Sequence, residues 1–173
     1  MIATLLLPAV VESESEEIQI RRATRDDLDD VVNLLRDDAI SQARADGSDS
    51  IDRRTYEGAF EEIADDARND LLVAVDSGGE VVGTLQLTSL PGLSRGGATR
   101  LQVEAVRVSP DRRSSGIGSA LMGWVTGVAA PAVGARLVQL TSDMSRTDAR
   151  RFYLGLGFAD SHVGFKHVVT SSD

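Results

Sequence analysis

The stretch Val106–Met122 reads VRVSPDRRSSGIGSALM and predicts a strand, a tight turn and a helix in direct succession. Its first residues alternate, its middle is rich in glycine and serine, and its end is apolar. A strand that leads through such a turn into a helix is a typical anion site, because the first helical amides lack intrahelical acceptors. Gly116 and Gly118 leave room for a ligand to approach that backbone.

Three phosphate-binding patterns can be compared with this turn. A Walker loop requires Gly-Lys-Ser/Thr, and the turn contains no lysine. A dinucleotide fingerprint requires Gly or Ala five residues after the first glycine, where Leu121 stands, and Asp143 is a poor, late candidate for the ribose-binding acid. The pyrophosphate pattern Arg-x-x-Gly-x-Gly/Ala is complete at Arg113–Gly118. The sequence therefore favours the pyrophosphate loop, although glycine-rich turns between a strand and a helix are common.

Length and composition predict a globular protein. The chain has 173 residues, of which 42% are hydrophobic, and its net charge is -9. An acidic balance disfavours general nucleic-acid binding and mildly favours cationic substrates such as amines. The chain has no cysteine, which excludes disulfides, a thiolate nucleophile and a cysteine-based zinc site. Two histidines, His162 and His167, make a poor metal constellation, so no metal is predicted.

The first residues are predicted to be a flexible tail, residues 1–16, ahead of a single domain, residues 17–173. The run Ile2–Val11 is apolar, but it is too short for a bilayer and no basic residue precedes it. The acidic stretch Glu12–Glu17 is typical of a solvated tether. We therefore expect no membrane association and a cytoplasmic location.

Hydrophobic periodicity predicts an α/β fold with the order β-α-α-β-β-β-α-β-α-β. The expected strands are 17–23, 71–75, 81–87, 99–109, 136–141 and 162–169. The expected helices have their apolar faces at 28–39, 56–67, 121–129 and 149–156. The architecture is then a mixed sheet between layers of helices.

Two segments together resemble the GNAT N-acetyltransferase superfamily. VRVSPDRRSSGIGSALM is similar to the central motif of that family, and DARRFYLGLGF, residues 148–158, is similar to the helix that follows it. The resemblance extends over about residues 17–169 in element order and is motif-specific over about 99–169, with its closest look to the branch that acetylates small aminoalkylphosphonates. It implies a mixed, mostly antiparallel sheet that is flanked by helices and splayed at an acetyl-CoA site.

The resemblance also implies a reaction and a coenzyme site. The reaction moves an acetyl group from acetyl-CoA to a primary amine of a small molecule, by direct attack with no covalent enzyme intermediate. Two alternatives stay open, a protein or peptide amine acetyltransferase and a non-catalytic acyl-CoA-binding domain. Homodimers are common in the family. The expected coenzyme-binding residues are Val106 and Val108 for the pantetheine arm, beside a gap between two strands, and Arg113, Ser114, Ser115, Gly116, Ile117, Gly118 and Ser119 for the pyrophosphate.

Tyr153 stands at the tyrosine position of the family, which implies that its hydroxyl protonates the departing thiolate. The residues alone leave another interpretation open, because a tyrosine on an apolar helix face usually packs in a core.

A base is also required, since a free amine is mostly protonated at neutral pH. Glu104 is the candidate, because strand alternation places it on the same face as Val106, two residues later. An ion pair of Glu104 with Arg107 or Arg100 is the alternative. A water chain could also replace the base, and His162 and Asp143 are weaker candidates.

Overall fold

The computed structural model describes residues 2–37 and 52–169. The chain divides into two compact units, Met1–Leu140 and Thr141–Asp173. This boundary differs from the predicted division after residue 16. The first unit contains a six-stranded sheet with its helices, and the described part of the second contains one helix and an irregular segment.

The sheet has its strands in the same order as the chain, β1-β2-β3-β4-β5-β6. All neighbouring strands are antiparallel except β5 and β6, which are parallel. The strands are β1 Ala9–Glu12, β2 Glu17–Arg22, β3 Asn69–Val75, β4 Val81–Leu90, β5 Thr99–Val108 and β6 Ala135–Leu140. The predicted mixed, mostly antiparallel sheet is therefore confirmed.

The helices follow the predicted amphipathic segments. Within residues 2–37 and 52–169 they are α1 Leu28–Arg36, α2 Arg53–Asp65, α3 Ile117–Trp124 and α4 Thr147–Gly155. Helix α3 continues through a π-helical turn, Val125–Ala129, into Ala130–Ala132. Short helical turns occupy Ile2–Thr4, Arg25–Asp27, Ser94–Gly97 and Pro110–Arg112. The predicted end of the first helical face, Ala39, lies outside the described residues.

Helices α1 and α3 cover opposite faces of the sheet. Val31 of α1 packs with Val73 and Val75 of β3. On the other face, a Cβ added to Gly83 of β4 would lie 3.5 Å from Leu121 Cδ1 of α3 and 3.4 Å from Ala74 Cβ of β3. Because successive strand residues point to opposite faces, Val73 and Ala74 mark the two layers. Burial of apolar side chains on both sides explains the buried run in β3.

The prediction of a flexible tail at residues 1–16 is wrong for the residues that the structure describes. Ile2 is fully buried and Leu5 is nearly so, and β1 pairs along its whole length with β2. Two buried aliphatic side chains contribute roughly 1.5–3 kcal/mol each relative to exposed ones. Ile2 and Leu5 therefore belong to the core, whereas Leu6 and Val10 of the same apolar run are exposed.

The predicted strand at 162–169 is also wrong. Residues 159–169 contain no helix or strand, and Phe165 is 93% exposed. The segment has β-branched and aromatic residues, but strand propensity depends on a partner strand and a buried face. Neither is present for this segment among the described residues. In the same described ranges, no helix is both long and apolar enough to span a membrane.

Candidate functional site

The predicted phosphate loop connects β5 to α3. Ser114 and Gly116 have left-handed backbone conformations, with φ of 62° and 83°. Ala120 donates its amide to the Gly116 carbonyl at 2.9 Å and so closes the first turn of α3. The amides of Ile117, Gly118 and Ser119 come before that bond and have no intrahelical acceptor. The loop therefore presents consecutive amides at a helix start, which fits a bound anion such as a pyrophosphate.

The strand before the loop has an unpaired edge. β6 pairs with β5 only over residues 99–103, and the ladder ends at Val103 and Leu140. β5 continues to Val108, so its second half has no partner strand on that side within the described sheet. The expected parting of these two strands is confirmed. Val106 and Val108 lie on this half and are half-buried, and an edge of this kind can pair with an amide-rich ligand.

A β-bulge lies in the same half of β5. Glu104 pairs with Gln86, and Arg107 pairs with Thr84, so three steps on β5 match two steps on β4. Ala105 takes up the extra residue with φ of 54°. Because directly paired residues share a face, Glu104 shares its face with Arg107. The predicted alternation that placed Glu104 with Val106 is therefore wrong.

The Glu104 side chain is exposed on β5 and makes no ion pair with another described residue. Arg100 Nη1 donates to Gln139 Oε1 at 3.4 Å, and Arg107 Nη1 donates to the Val106 carbonyl at 2.9 Å. The alternative of a structural ion pair therefore has no support among these residues.

Tyr153 lies in the second unit, on α4. Its ring makes edge contacts with Phe152 and Phe158, with centroids 5.1 and 5.8 Å apart. Gly157, with φ of 85°, ends the helix, and the Phe158 amide then donates to the Tyr153 carbonyl at 3.0 Å. The sequence FYLGLGF thus folds back on itself, so that aromatic neighbours hold the Tyr153 ring.

The two arginines of the loop have carboxylate partners that sequence reasoning missed. Arg112 donates to Glu16 Oε1 at 2.8 Å and to Asp76 Oδ2 at 2.9 Å. Arg113 donates to Asp37 Oδ2 at 2.7 Å. These partners are 36 to 96 residues distant in sequence, and no local pattern indicates such pairs.

The weaker candidates have local roles. Asp143 Oδ1 accepts from the Ser145 amide at 3.0 Å and from its hydroxyl at 2.6 Å, which is a typical Asx turn. His162 is exposed and its Nδ1 lies 2.8 Å from Ser161 Oγ. Within the described ranges, no cluster of three or more acidic or histidine side chains could hold a metal ion.

Known proteins similar to this chain share its architecture. The model of the acetyltransferase (GNAT) family matches residues 28–158. The aminoalkylphosphonate N-acetyltransferase of Salmonella typhimurium is 29% identical over 147 residues, which cover 85% of this chain and 88% of that protein.

Two solved structures also align with the chain. A transcriptional regulator from Bacillus halodurans C-125 has 40% identity and a TM-score of 0.81, over 88% of this chain and 99% of that one. AAC(6')-Iy in complex with the bisubstrate analogue CoA-S-monomethyl-acetylneamine has 16% identity and a TM-score of 0.69, over 89% and 99% of the two chains. At that identity, the second alignment shows a shared fold.

Proposed function

Since the chain belongs to the acetyltransferase (GNAT) family and is an acetyl-CoA-dependent acyltransferase, we propose that it acetylates a primary amine of a small molecule. The observation that carries the proposal is the anion-binding loop directly behind an unpaired strand edge. The similarity to an aminoalkylphosphonate N-acetyltransferase supports a small amine as acceptor. The net charge of -9 favours a cationic acceptor as well.

In this proposal the first unit binds acetyl-CoA. The backbone amides of residues 113–119 hold the pyrophosphate, and the edge of Val106 and Val108 pairs with the pantetheine arm. Acetyl-CoA supplies the activated acetyl thioester. A backbone N–H near Val106 faces the developing oxyanion, where a fixed donor stabilises the transition state. We propose direct attack by the amine on the thioester, as the family implies, and the chain has no cysteine thiolate that could carry the acetyl group as a covalent intermediate.

Two side chains handle protons in this proposal. The Tyr153 hydroxyl donates a proton to the departing thiolate, and the aromatic contacts of its ring fix its orientation. Glu104 accepts the proton of the amine, directly or through water. Its exposure on β5 leaves the carboxylate accessible to solvent and to an acceptor.

A non-catalytic acyl-CoA-binding role is the second candidate. The name of the relative from Bacillus halodurans, a transcriptional regulator at 40% identity, favours it. The two roles differ in turnover, because a sensor binds acetyl-CoA without releasing its thiol.

The test is amine-dependent release of free thiol from acetyl-CoA, measured with a panel of small primary amines that includes aminoalkylphosphonates. We expect turnover by the wild type. Tyr153→Phe keeps the ring contacts, so it should lower kcat by roughly 10²–10⁴-fold and leave the Kd for acetyl-CoA unchanged. Phe152→Leu changes the packing around Tyr153 but keeps the Tyr153 hydroxyl, so it is the control for effects of altered stability.

The outcomes separate the candidates. Binding of acetyl-CoA without thiol release for any amine would favour the sensor. A Tyr153→Phe protein with wild-type turnover would show that Tyr153 is a packing residue. Release with lysine-containing peptides but with none of the small amines would favour the protein-amine alternative.

A further inference from the structure

The turn between β1 and β2, residues 13–16, lies against the phosphate loop, and we name this turn the strap. The last pair of the ladder is Glu12 with Glu17, and the strap closes the hairpin beyond it. The Ser13 amide donates to the Glu16 carbonyl at 2.9 Å, and the Glu16 amide donates to Ser13 Oγ at 3.0 Å. The strap is therefore a turn with its own internal hydrogen bonds.

The strap fills the space that glycine leaves open in the loop. A Cβ added to Gly116 would lie 2.7 Å from both the amide nitrogen and Cγ of Glu14. Ser15 Oγ donates to the Ser115 carbonyl at 3.3 Å. Gly116 was expected to leave its backbone open to a phosphate, and Glu14 occupies that position instead.

The charges of the strap and its neighbours oppose an anionic ligand. Glu16 pairs with Arg112 at 2.8 Å, and Asp37 pairs with Arg113 at 2.7 Å, so both loop cations face carboxylates. Glu14 adds a further negative charge beside Gly116. A pyrophosphate that approaches this loop therefore meets repulsion as well as steric overlap.

We propose that the strap is an autoinhibitory cover, which the pyrophosphate of acetyl-CoA must displace in order to bind. This inference rests on the proposed coenzyme site at residues 113–119. Displacement requires the loss of the Ser15 hydrogen bond and of the half-buried Arg112–Glu16 ion pair. Arg112 then keeps Asp76, whose side chain is only 6% exposed, so the loop stays anchored while the strap moves.

The structure indicates how to remove the strap without loss of the hairpin. Replacement of residues 13–16 by Asn-Gly keeps the pair Glu12–Glu17 and closes it with a type I′ turn. The measurement is the Kd for acetyl-CoA by titration calorimetry. A cover that leaves about a tenth of the molecules open weakens apparent binding about tenfold, so we expect the Kd to fall about tenfold.

A pair of charge variants tests the strap in the full chain. Glu14→Lys places a cation beside Gly116, and Glu62→Lys makes the same change of net charge on the exposed face of α2. We expect Glu14→Lys to lower the Kd for acetyl-CoA at least about fivefold and Glu62→Lys to change it less than about twofold. The comparison of Glu14→Lys with Glu62→Lys still tests the strap if the shortened turn fails to fold.

Two results would overturn the autoinhibitory strap and the proposed function separately. Equal Kd values for the wild type and the shortened turn, or for Glu14→Lys and Glu62→Lys, would overturn the strap and leave the coenzyme site intact. A wild type and variants that all give no binding heat with acetyl-CoA and no thiol release would overturn the proposed function itself.

Discussion

Glu104 is the proposed acceptor of the amine proton, and one substitution tests this role. Glu104→Gln keeps the size of the side chain but cannot accept a proton, so we expect kcat/KM at pH 7 to fall by about 10²-fold. Part of that loss should return at high pH, where more of the amine is neutral. The measurement is the pH–rate profile with one small amine.

The matched control for that experiment is Glu80→Gln, an exposed acid in the turn between β3 and β4. It should leave the profile unchanged. Since Glu104 makes no ion pair among the described residues, its replacement should leave the melting temperature unchanged as well. A profile for Glu104→Gln that overlays the wild type would assign proton removal to a water chain.

At the scale of the element, the bulge in β5 is the feature that periodicity could not predict. Alternation correctly indicated strands at β2, β3 and β4, because a half-buried strand must alternate or be uniformly apolar. A bulge adds one residue to a strand and exchanges the faces beyond it, and Ala105 carries no signal of its left-handed φ. The same limit applies to the buried Ile2 and Leu5 ahead of β1, because the turn that contains Ile2 contacts β3 and β4, which are distant in sequence.

The bulge also yields a stability prediction. A β-branched side chain is strongly disfavoured at the φ of 54° that Ala105 adopts. Ala105→Val should therefore lower the free energy of unfolding by about 1–3 kcal/mol. Thr99→Val, a nearly isosteric change at the first residue of β5, should alter it by less than about 0.5 kcal/mol. Urea denaturation of the two variants gives the comparison, and equal midpoints would contradict a strained bulge.

At the scale of the whole molecule, acid stability depends on Asp27 at the start of α1. Arg21 donates to both of its carboxylate oxygens at 2.7 Å, and Thr24 donates from its amide and its hydroxyl. The Arg21 hydrogen bonds, with those of Thr24, lower the pKa of Asp27 to about 2, although burial opposes the shift. The carboxylate therefore stabilises the fold above pH 4, and that contribution is lost as the pH falls from about 4 to about 2.

Asp27→Asn should accordingly lower the free energy of unfolding by about 2 kcal/mol at pH 7. The difference from the wild type should narrow as the pH falls below 4. Burial raises the pKa of Asp70 despite Arg22, so the contribution of Asp70 to the free energy of unfolding changes with pH in the opposite sense. Both proteins contain Asp70, so this contribution cancels when their free energies of unfolding are subtracted at each pH. Asp30→Asn, on the exposed side of α1, is the control. A difference in the free energy of unfolding between wild type and Asp27→Asn that stays constant down to pH 3, measured by urea denaturation, would contradict this assignment.

The order of the strands has a consequence for how the protein is made. Each strand of the sheet pairs with the strand synthesised just before it, so no place in the sheet must be kept for a later segment. During translation the hairpins β1–β2 and β3–β4 and the pair β4–β5 close short loops at low entropic cost, whereas β3 and β6 join the sheet through longer connections that contain helices. Residues 9–22 leave the ribosome about a hundred residues ahead of the glycine turn. The strap is therefore synthesised before the loop that it covers.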